Sequence, residues 1–372
     1  MSNALDAEIL FRQGVSHLEA KEFETALSYF DRAIELYPHA ADAWTCRGLA
    51  LAHLKRYDPC IASFDRALEY RPDDIQIWLN RGLVLSEWGR HQNAIACFER
   101  AIDLEPENCE AWADKGNCLV FLGKNREAIS CFDTALRFNP NHYKAINNRA
   151  NALTNMGKFK RALSTYNRTL SVYPHDPSVW FNRGCVLWKM ERNEEAIESY
   201  DKALELKPEY TAPMLNKGNV YADLERYPEA LKSYEQVLKI DPQDTHAWNN
   251  RGLILRRMGR LKEAIASYDR SLECDRDNYE AWDNRGYALV KMGRYREAIV
   301  NFERAVEIKP DHANGIYNKG YCYGMMGKIT VGVDCIARAI QLNPDKYRPM
   351  AKTDPDLKCL RKNKRFQKML NA

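Results

Sequence analysis

The chain has 372 residues, with 55 Lys or Arg against 51 Asp or Glu, so its formal net charge is +4 at neutral pH. Residues 347–372 alone carry a net charge of +6, which leaves −2 for the rest of the chain. Because nucleic-acid binding requires a basic surface, this balance argues against a nucleic-acid partner. No apolar run of 18 residues occurs and the chain begins with MSNALDAEILF, so the sequence predicts neither membrane insertion nor a secretory signal.

A unit of 34 residues recurs ten times between Ala7 and Lys346 without an insertion or a deletion. Nine units carry a proline at the same place: Pro38, Pro72, Pro106, Pro140, Pro174, Pro208, Pro242, Pro310 and Pro344. A glycine column keeps the same interval: Gly14, Gly48, Gly82, Gly116, Gly184, Gly218, Gly252, Gly286 and Gly320. Six tryptophans precede that column by four residues: Trp44, Trp78, Trp112, Trp180, Trp248 and Trp282. This constant register predicts a repeat protein.

Each unit carries the pattern of two amphipathic helices. In the sixth unit, Trp180, Gly184 and Leu187 lie at positions i, i+4 and i+7, and the same spacing recurs between Ala196 and Ala203. In six units a glycine separates the two helices, which suits the left-handed residue that ends a helix. The proline then ends the second helix.

Tryptophan, glycine, alanine, aromatic and proline at these intervals resemble the tetratricopeptide repeat. The resemblance covers residues 7–346 and implies an all-α fold, a right-handed superhelical α-solenoid of helix-turn-helix repeats. One hairpin cannot bury its apolar face alone, whereas stacked hairpins bury a continuous core. We therefore predict a single solenoid domain over 7–346, with residues 1–6 as an N-terminal extension.

Residues 347–372 are predicted to form a basic C-terminal capping helix. Asp354 suits an N-cap, with Pro355 at the first helical position. Five apolar residues of this segment are expected to cover the last repeat: Leu357, Leu360, Phe366, Met369 and Leu370. The stretch resembles the closing segment of many bacterial tetratricopeptide proteins, cyanobacterial ones especially. A binding site for an acidic partner or a membrane surface is the alternative use of its charge.

No motif in the sequence indicates catalysis. The GxSxG, GxxxxGK[ST] and HExxH patterns are absent from the sequence, and the eight histidines lack metal-ligand spacing. The sequence therefore predicts a protein that is not an enzyme and that needs neither a metal nor a cofactor. The eleven cysteines are an odd number without CxxC spacing, which indicates reduced thiols and a cytoplasmic location.

An apolar stripe lies on the first helix of the repeats, about 120° around from the core face. The resemblance places this side of the first helix on the concave groove of the superhelix. The aromatic residues predicted to contact a peptide there are Phe181, Trp188, Tyr287, Tyr317 and Tyr321. Packing between neighbouring repeats is the alternative role for these rings.

An asparagine column borders the stripe, two residues before the glycine column: Asn80, Asn148, Asn182, Asn216, Asn250, Asn284 and Asn318. An Asn side chain offers both an acceptor and donors, which match the backbone of an extended peptide. The column is similar to the ladder in the tetratricopeptide region of O-linked N-acetylglucosamine transferases. The alternative is that each Asn bonds a neighbouring helix and fixes the repeat spacing.

Two further comparisons within the family narrow the function. The basic column next to the asparagines is expected to pair with the acid that follows the aromatic column, for example Asp65 or Glu99. Cochaperones of this family grip a C-terminal carboxylate with basic residues, but the matching places here hold Asn147, Ala212 and Asn216. The sequence therefore argues against binding of chaperone C-terminal tails.

These patterns predict a non-enzymatic scaffold that binds an extended segment of another protein in its groove and serves the assembly of a larger complex. A targeting or regulatory subunit for an enzyme supplied in trans is the first alternative. An RNA-binding solenoid is the second. Protein or peptide segments are thus the expected partners.

Overall fold

Helical pairs follow one another along residues 2–371, the part of the chain that the computed structural model describes; Met1 and Ala372, which belong to the predicted terminal segments, lie outside it. The first helices of the ten repeats are α1 (Ser2–Glu19), α3 (Ala41–His53), α5 (Ile75–Glu87), α7 (Cys109–Phe121), α9 (Tyr143–Asn155), α11 (Pro177–Lys189), α13 (Thr211–Asp223), α15 (Thr245–Arg257), α17 (Tyr279–Lys291) and α19 (Ala313–Met325). The second helices are α2 (Phe23–Leu36), α4 (Tyr57–Tyr70), α6 (His91–Leu104), α8 (Asn125–Phe138), α10 (Phe159–Val172), α12 (Asn193–Leu206), α14 (Tyr227–Ile240), α16 (Leu261–Cys274), α18 (Tyr295–Ile308) and α20 (Ile329–Leu342).

The helices divide into two compact units, Met1–Met190 with α1 to α11 and Glu191–Ala372 with α12 onwards. Within each unit, each helix of a repeat packs against the next helix along the chain, and first helices of adjacent repeats also touch. Residues 2–371 contain helices and no β-strand. The predicted all-α solenoid of helix-turn-helix repeats is therefore confirmed.

The glycine column fits against an aromatic ring of the second helix in the same repeat. A Cβ atom added to Gly82 would lie 2.7 Å from Cε1 of Phe98, and one added to Gly218 would lie 2.6 Å from Cε1 of Tyr234. Both rings are buried. The ring therefore occupies the space that a side chain on the first helix would need, which lets the two helices approach closely.

The tryptophan column fixes the end of the preceding repeat. Each indole N–H donates a hydrogen bond of 2.8–3.0 Å to a backbone carbonyl six residues earlier: Trp44 to Pro38, Trp78 to Pro72, Trp112 to Pro106, Trp180 to Pro174, Trp248 to Pro242 and Trp282 to Arg276. Because the acceptor is a main-chain oxygen, Arg276 replaces proline without loss of this bond.

The predicted pairing of the basic column is confirmed. Each ion pair joins a first helix to the second helix of the preceding repeat, 16 residues earlier: Arg47–Asp31, Arg81–Asp65, Lys115–Glu99, Arg149–Asp133, Lys217–Asp201, Arg251–Glu235, Arg285–Asp269 and Lys319–Glu303. These bonds hold neighbouring repeats in register within each unit.

The C-terminal segment differs from the single capping helix that the sequence predicts. Its residues form the end of α21 (Pro344–Thr353), a 3-10 turn (Pro355–Leu357), α22 (Lys358–Arg361) and α23 (Lys364–Asn371). Pro355 cannot donate the hydrogen bond that would continue α21. The Asn363 side chain accepts the backbone N–H groups of Arg365 and Phe366, which starts α23 separately.

The predicted covering role of this segment is confirmed. Leu357, Leu360 and Phe366 are fully buried and pack in one apolar cluster with Ile316 and Ile336 of the last repeat. Leu370 and the partly buried Met369 belong to the same cluster. The end of the last repeat is thus closed by residues that follow the repeats.

Each turn between paired helices holds one left-handed residue, as the six glycines predict. Those glycines have φ between +71° and +77°: Gly89, Gly123, Gly157, Gly259, Gly293 and Gly327. Four repeats use other residues with φ between 57° and 61°: Lys21, Lys55, Glu191 and Glu225. A side chain in this region costs free energy that glycine avoids.

The Gly82→Ala substitution tests the contact with Phe98. In an exposed helix, Gly→Ala adds about 1 kcal/mol of stability. Here we expect a loss of about 1–3 kcal/mol in the free energy of unfolding, because the new methyl group meets the ring. Urea denaturation of the full chain measures it. In a Phe98→Leu background the same substitution should no longer destabilise, and a stabilising Gly82→Ala in the native background would contradict the account.

The Lys55→Gly substitution tests the left-handed turn residue. We expect it to raise the free energy of unfolding by about 1 kcal/mol, because glycine adopts positive φ without steric cost. The matched control is Gly89→Lys in the next repeat, which should lower stability by a similar amount. Both are measured by thermal and urea unfolding. Equal and unchanged midpoints for the two variants would show that these turns carry no strain.

Candidate functional site

Five of the predicted contact residues lie in the first unit, all half-buried on first helices: Asn80 on α5, Asn148 on α9, and Phe181, Asn182 and Trp188 on α11. Asn148 Nδ2 donates to Oδ1 of Asn117 on α7, at 3.4 Å. This bond joins the first helices of adjacent repeats. The asparagine column therefore has a structural use in this unit.

The second unit shows the same use more clearly. Asn250 Nδ2 lies 3.0 Å from Oδ1 of Asn219, which also accepts the hydroxyl proton of Tyr234 at 2.8 Å. Asn284 Nδ2 lies 3.1 Å from Oδ1 of Asn249. Both bonds connect first helices of neighbouring repeats, while Asn216 is half-buried on α13. These amides are partly engaged by the fold itself.

Asn318 in the last repeat is different. The residue is 8 % exposed, and its Nδ2 atom has no hydrogen-bond partner among the described residues. A buried amide donor without an acceptor costs roughly 1–3 kcal/mol. A bound group that reaches this donor would supply the missing acceptor.

Asn318 lines a cavity of about 490 Å³ that we name the C-terminal cavity. Its walls come from the last two repeats and from the segment after them: Tyr287, Val290, Lys291, Tyr317, Asn318, Tyr321, Met350, Thr353, Asp354 and Pro355. The structure therefore brings together four residues predicted from the sequence, three tyrosines and one asparagine. Cavities of this size accommodate a large side chain or a small ligand.

The tyrosines of the cavity have different settings. Tyr317 is almost fully buried, and its hydroxyl donates to Oδ2 of Asp354 at 3.1 Å. Burial, with the nearby Asp354 carboxylate, raises the pKa of Tyr317 well above its ordinary value, so its hydroxyl stays protonated. Tyr321 packs edge-on against Tyr295, with ring centroids 6.2 Å apart. Tyr317 thus ties the closing segment to the last repeat.

Two cations flank the third tyrosine. The Arg256 guanidinium carbon lies 4.7 Å from the ring centroid of Tyr287, and Lys291 Nζ lies 5.3 Å from it. Such distances allow cation–π attraction. Neither cation forms a salt bridge within residues 2–371. Lys291 therefore brings a positive charge to the cavity wall, and Arg256 adds a second one near the ring of Tyr287.

Six of the ten wall residues were not among the contact residues predicted from the sequence. Lys291 was not distinguished from other surface lysines, and Met350 and Thr353 follow the repeats, so no 34-residue column contains them. The N-cap pattern at Asp354–Pro355 was the one signal that pointed to this segment. Its place beside Tyr317 depends on how the closing segment packs, which the sequence pattern does not specify.

Other classes of site find no support in the described part of the chain. No group of three or more His, Cys, Asp or Glu side chains there could hold a metal ion. None of its helices has the length and apolar character needed to cross a bilayer. The eleven cysteines are free thiols, and burial raises the pKa of Cys60 to about 12.

Comparing the stability of Asn284→Ala with that of Asn318→Ala distinguishes an amide that bonds a neighbouring repeat from one whose donor is unpaired. Asn284→Ala leaves the buried Oδ1 of Asn249 without its donor, so we expect a loss of about 1–2 kcal/mol in the free energy of unfolding. Asn318→Ala removes a donor that is already unpaired, so its cost should stay under about 1 kcal/mol. Urea denaturation of both variants measures the difference. Equal losses would mean that Asn318 is also engaged by the fold.

Models of the tetratricopeptide repeat match most of the chain, over residues 5–58, 75–108, 97–130, 131–164, 177–210, 215–279, 267–300 and 286–327. Comparison with curated protein sequences gives no significant match. Many solved structures are similar.

Three solved structures illustrate the similarity. A tetratricopeptide repeat protein from Parabacteroides merdae is 18% identical, with 68% of this chain and 98% of that chain covered and a TM-score of 0.53. Yeast Tom70 is 13% identical, with 92% and 93% covered and a TM-score of 0.51. YrrB, described as a TPR protein with an unusual peptide-binding site, is 26% identical, with 50% and 97% covered and a TM-score of 0.41.

The first two structures share the fold of this chain, and the sequence models match segments that begin in the first repeat and end in the last. The helical pairs of this chain agree with those matches. The chain belongs to the tetratricopeptide repeat family.

Proposed function

We propose that this protein is a non-enzymatic interaction scaffold that binds an extended segment of another protein and serves the assembly of a larger complex. Tetratricopeptide repeats and the similar structures support a protein-interaction scaffold. The observation that carries the finer proposal is the C-terminal cavity, where tyrosines surround a buried amide donor that has no partner within the described chain.

The cavity has the chemistry of a side-chain pocket. Its volume of about 490 Å³ accommodates one large side chain. Tyrosine and methionine walls provide apolar contact area, and the amide of Asn318 provides a hydrogen bond that orients the guest. An extended chain would leave the pocket along the first-helix face, where side chains are half-buried rather than packed away.

The ion pairs of the repeats favour a protein partner over nucleic acid. Eight basic residues of the first helices pair with carboxylates of the preceding repeat, for example Arg81 with Asp65 and Arg285 with Asp269. Cations engaged in this way do not form the unpaired basic stripe that phosphate binding requires. The body of the chain also has a net charge of −2.

Phage display of random peptides against the intact chain tests this function. We expect enriched sequences that bind in solution, as measured by fluorescence anisotropy, and that bind about tenfold more weakly to the Tyr287→Ala variant, because half-buried aromatic anchors dominate such interfaces. Tyr70→Ala, which removes an exposed tyrosine on a second helix, is the matched control and should not change affinity. The proposal fails if no peptide is enriched, or if all selected peptides bind Tyr287→Ala as tightly as the native chain.

A further inference from the structure

We infer that the C-terminal cavity selects a segment in which one large apolar side chain stands next to acidic residues. This inference rests on the proposed function and names the partner class of the same site. Three features carry it: the apolar walls, the unpaired amide of Asn318, and the two cations beside Tyr287.

The apolar walls favour an apolar side chain of the partner as the anchor in the cavity. Val290, Met350 and Pro355 contribute aliphatic surface, and the rings of Tyr287 and Tyr321 contribute aromatic faces. Burial of a Phe or Leu side chain against such walls is favourable, because it removes apolar surface from water. A short polar side chain would leave this surface in contact with water.

The amide of Asn318 favours a guest that supplies a hydrogen-bond acceptor. The residue is more than nine-tenths buried and lines the cavity, and its Nδ2 atom lacks a partner in the described chain. A backbone carbonyl of the guest supplies that acceptor and removes the cost of the unpaired donor. A lysine or quaternary ammonium group, which three tyrosines would otherwise suit, brings no acceptor to this atom.

The charges beside the pocket favour a partner segment that carries carboxylates. The Arg256 guanidinium and the Lys291 ammonium both lie close to the Tyr287 ring, and neither forms a salt bridge among residues 2–371. Asp354 is the carboxylate on the cavity wall, and it accepts the hydroxyl of Tyr317. Arg256 and Lys291 together outweigh Asp354 around Tyr287, so an acidic neighbour of the anchor is attracted and a basic neighbour is repelled.

Residues of the last two repeats form part of the site, but only the segment that follows the repeats completes it. Met350, Thr353, Asp354 and Pro355 all follow the last repeat, and they lie where α21 ends and the 3-10 turn begins. The closing segment therefore has a second role besides covering the core. It completes a pocket for the anchor of the partner.

Designed peptides test the chemistry directly. The probes are fluorescein-labelled Gly/Ser peptides that carry one Phe followed by three Glu, the same peptide with Ala for Phe, and the same peptide with Lys for Glu. We expect fluorescence anisotropy with the full chain to show binding of the first peptide and binding about tenfold weaker for each of the others.

Two variants locate the contacts. Lys291→Glu should weaken the first peptide about fivefold and reduce the salt dependence of binding. Lys189→Glu, at the equivalent exposed position of the sixth repeat, is the matched control and should leave affinity unchanged. Asn318→Ala should weaken the peptide about tenfold through loss of its buried hydrogen bond. Far-UV circular dichroism and the thermal midpoint verify that each variant is folded.

The outcomes distinguish this inference from the proposed function. Suppose that peptides selected by display bind while the Phe–Glu peptide does not, or that their affinity is unchanged by Lys291→Glu and Asn318→Ala. Either result would contradict the acidic–apolar motif but would leave the scaffold function standing. If no peptide of either kind binds, both are wrong. If octanoate displaces the Phe–Glu peptide at concentrations similar to that of the peptide itself, the guest is a small amphipathic carboxylate and the peptide assignment is wrong.

Discussion

The contact between a glycine on the first helix and an aromatic ring on the second is the constraint on which the rest of the structure depends. A Cβ atom at Gly116 would lie 2.6 Å from Cε1 of Phe132, and Gly252 stands in the same relation to Tyr268. The ring sets how closely the two helices approach. Because the contact recurs at a constant interval, successive hairpins repeat one geometry, and each first helix presents the same side to its neighbour.

That geometry explains which polar side chains are used in contacts between repeats and which could contact a partner. The basic column is used by ion pairs between repeats, and the tryptophan N–H groups are used by backbone carbonyls. Three asparagines of the column are used in the same way, through bonds such as Asn250 to Asn219. In the last repeat the pattern changes, because no eleventh repeat follows and a different segment packs there. An unpaired amide and an open cavity remain at this end.

The fold could be predicted from the sequence because its determinants are local and periodic. The glycine turn, the proline that ends each second helix and the basic–acidic pairing all follow from residues at constant spacing, and the structure confirms them. The single capping helix was not confirmed, because Pro355 and Asn363 divide that segment. The pairing of asparagine amides was left open, since periodicity does not tell whether a polar side chain faces a neighbour or a ligand. The cavity also depends on Met350 and Asp354, which belong to no repeating column.

Hydrogen–deuterium exchange of the full chain, with and without a bound peptide selected by display, tests most directly whether the partner binds at the C-terminal cavity. The account predicts slower exchange of backbone amides in α17, in α19 and in residues 350–355 when the peptide is bound, with α3 and α5 unchanged. Protection that appears in the first unit while residues 350–355 exchange at their original rate would contradict it.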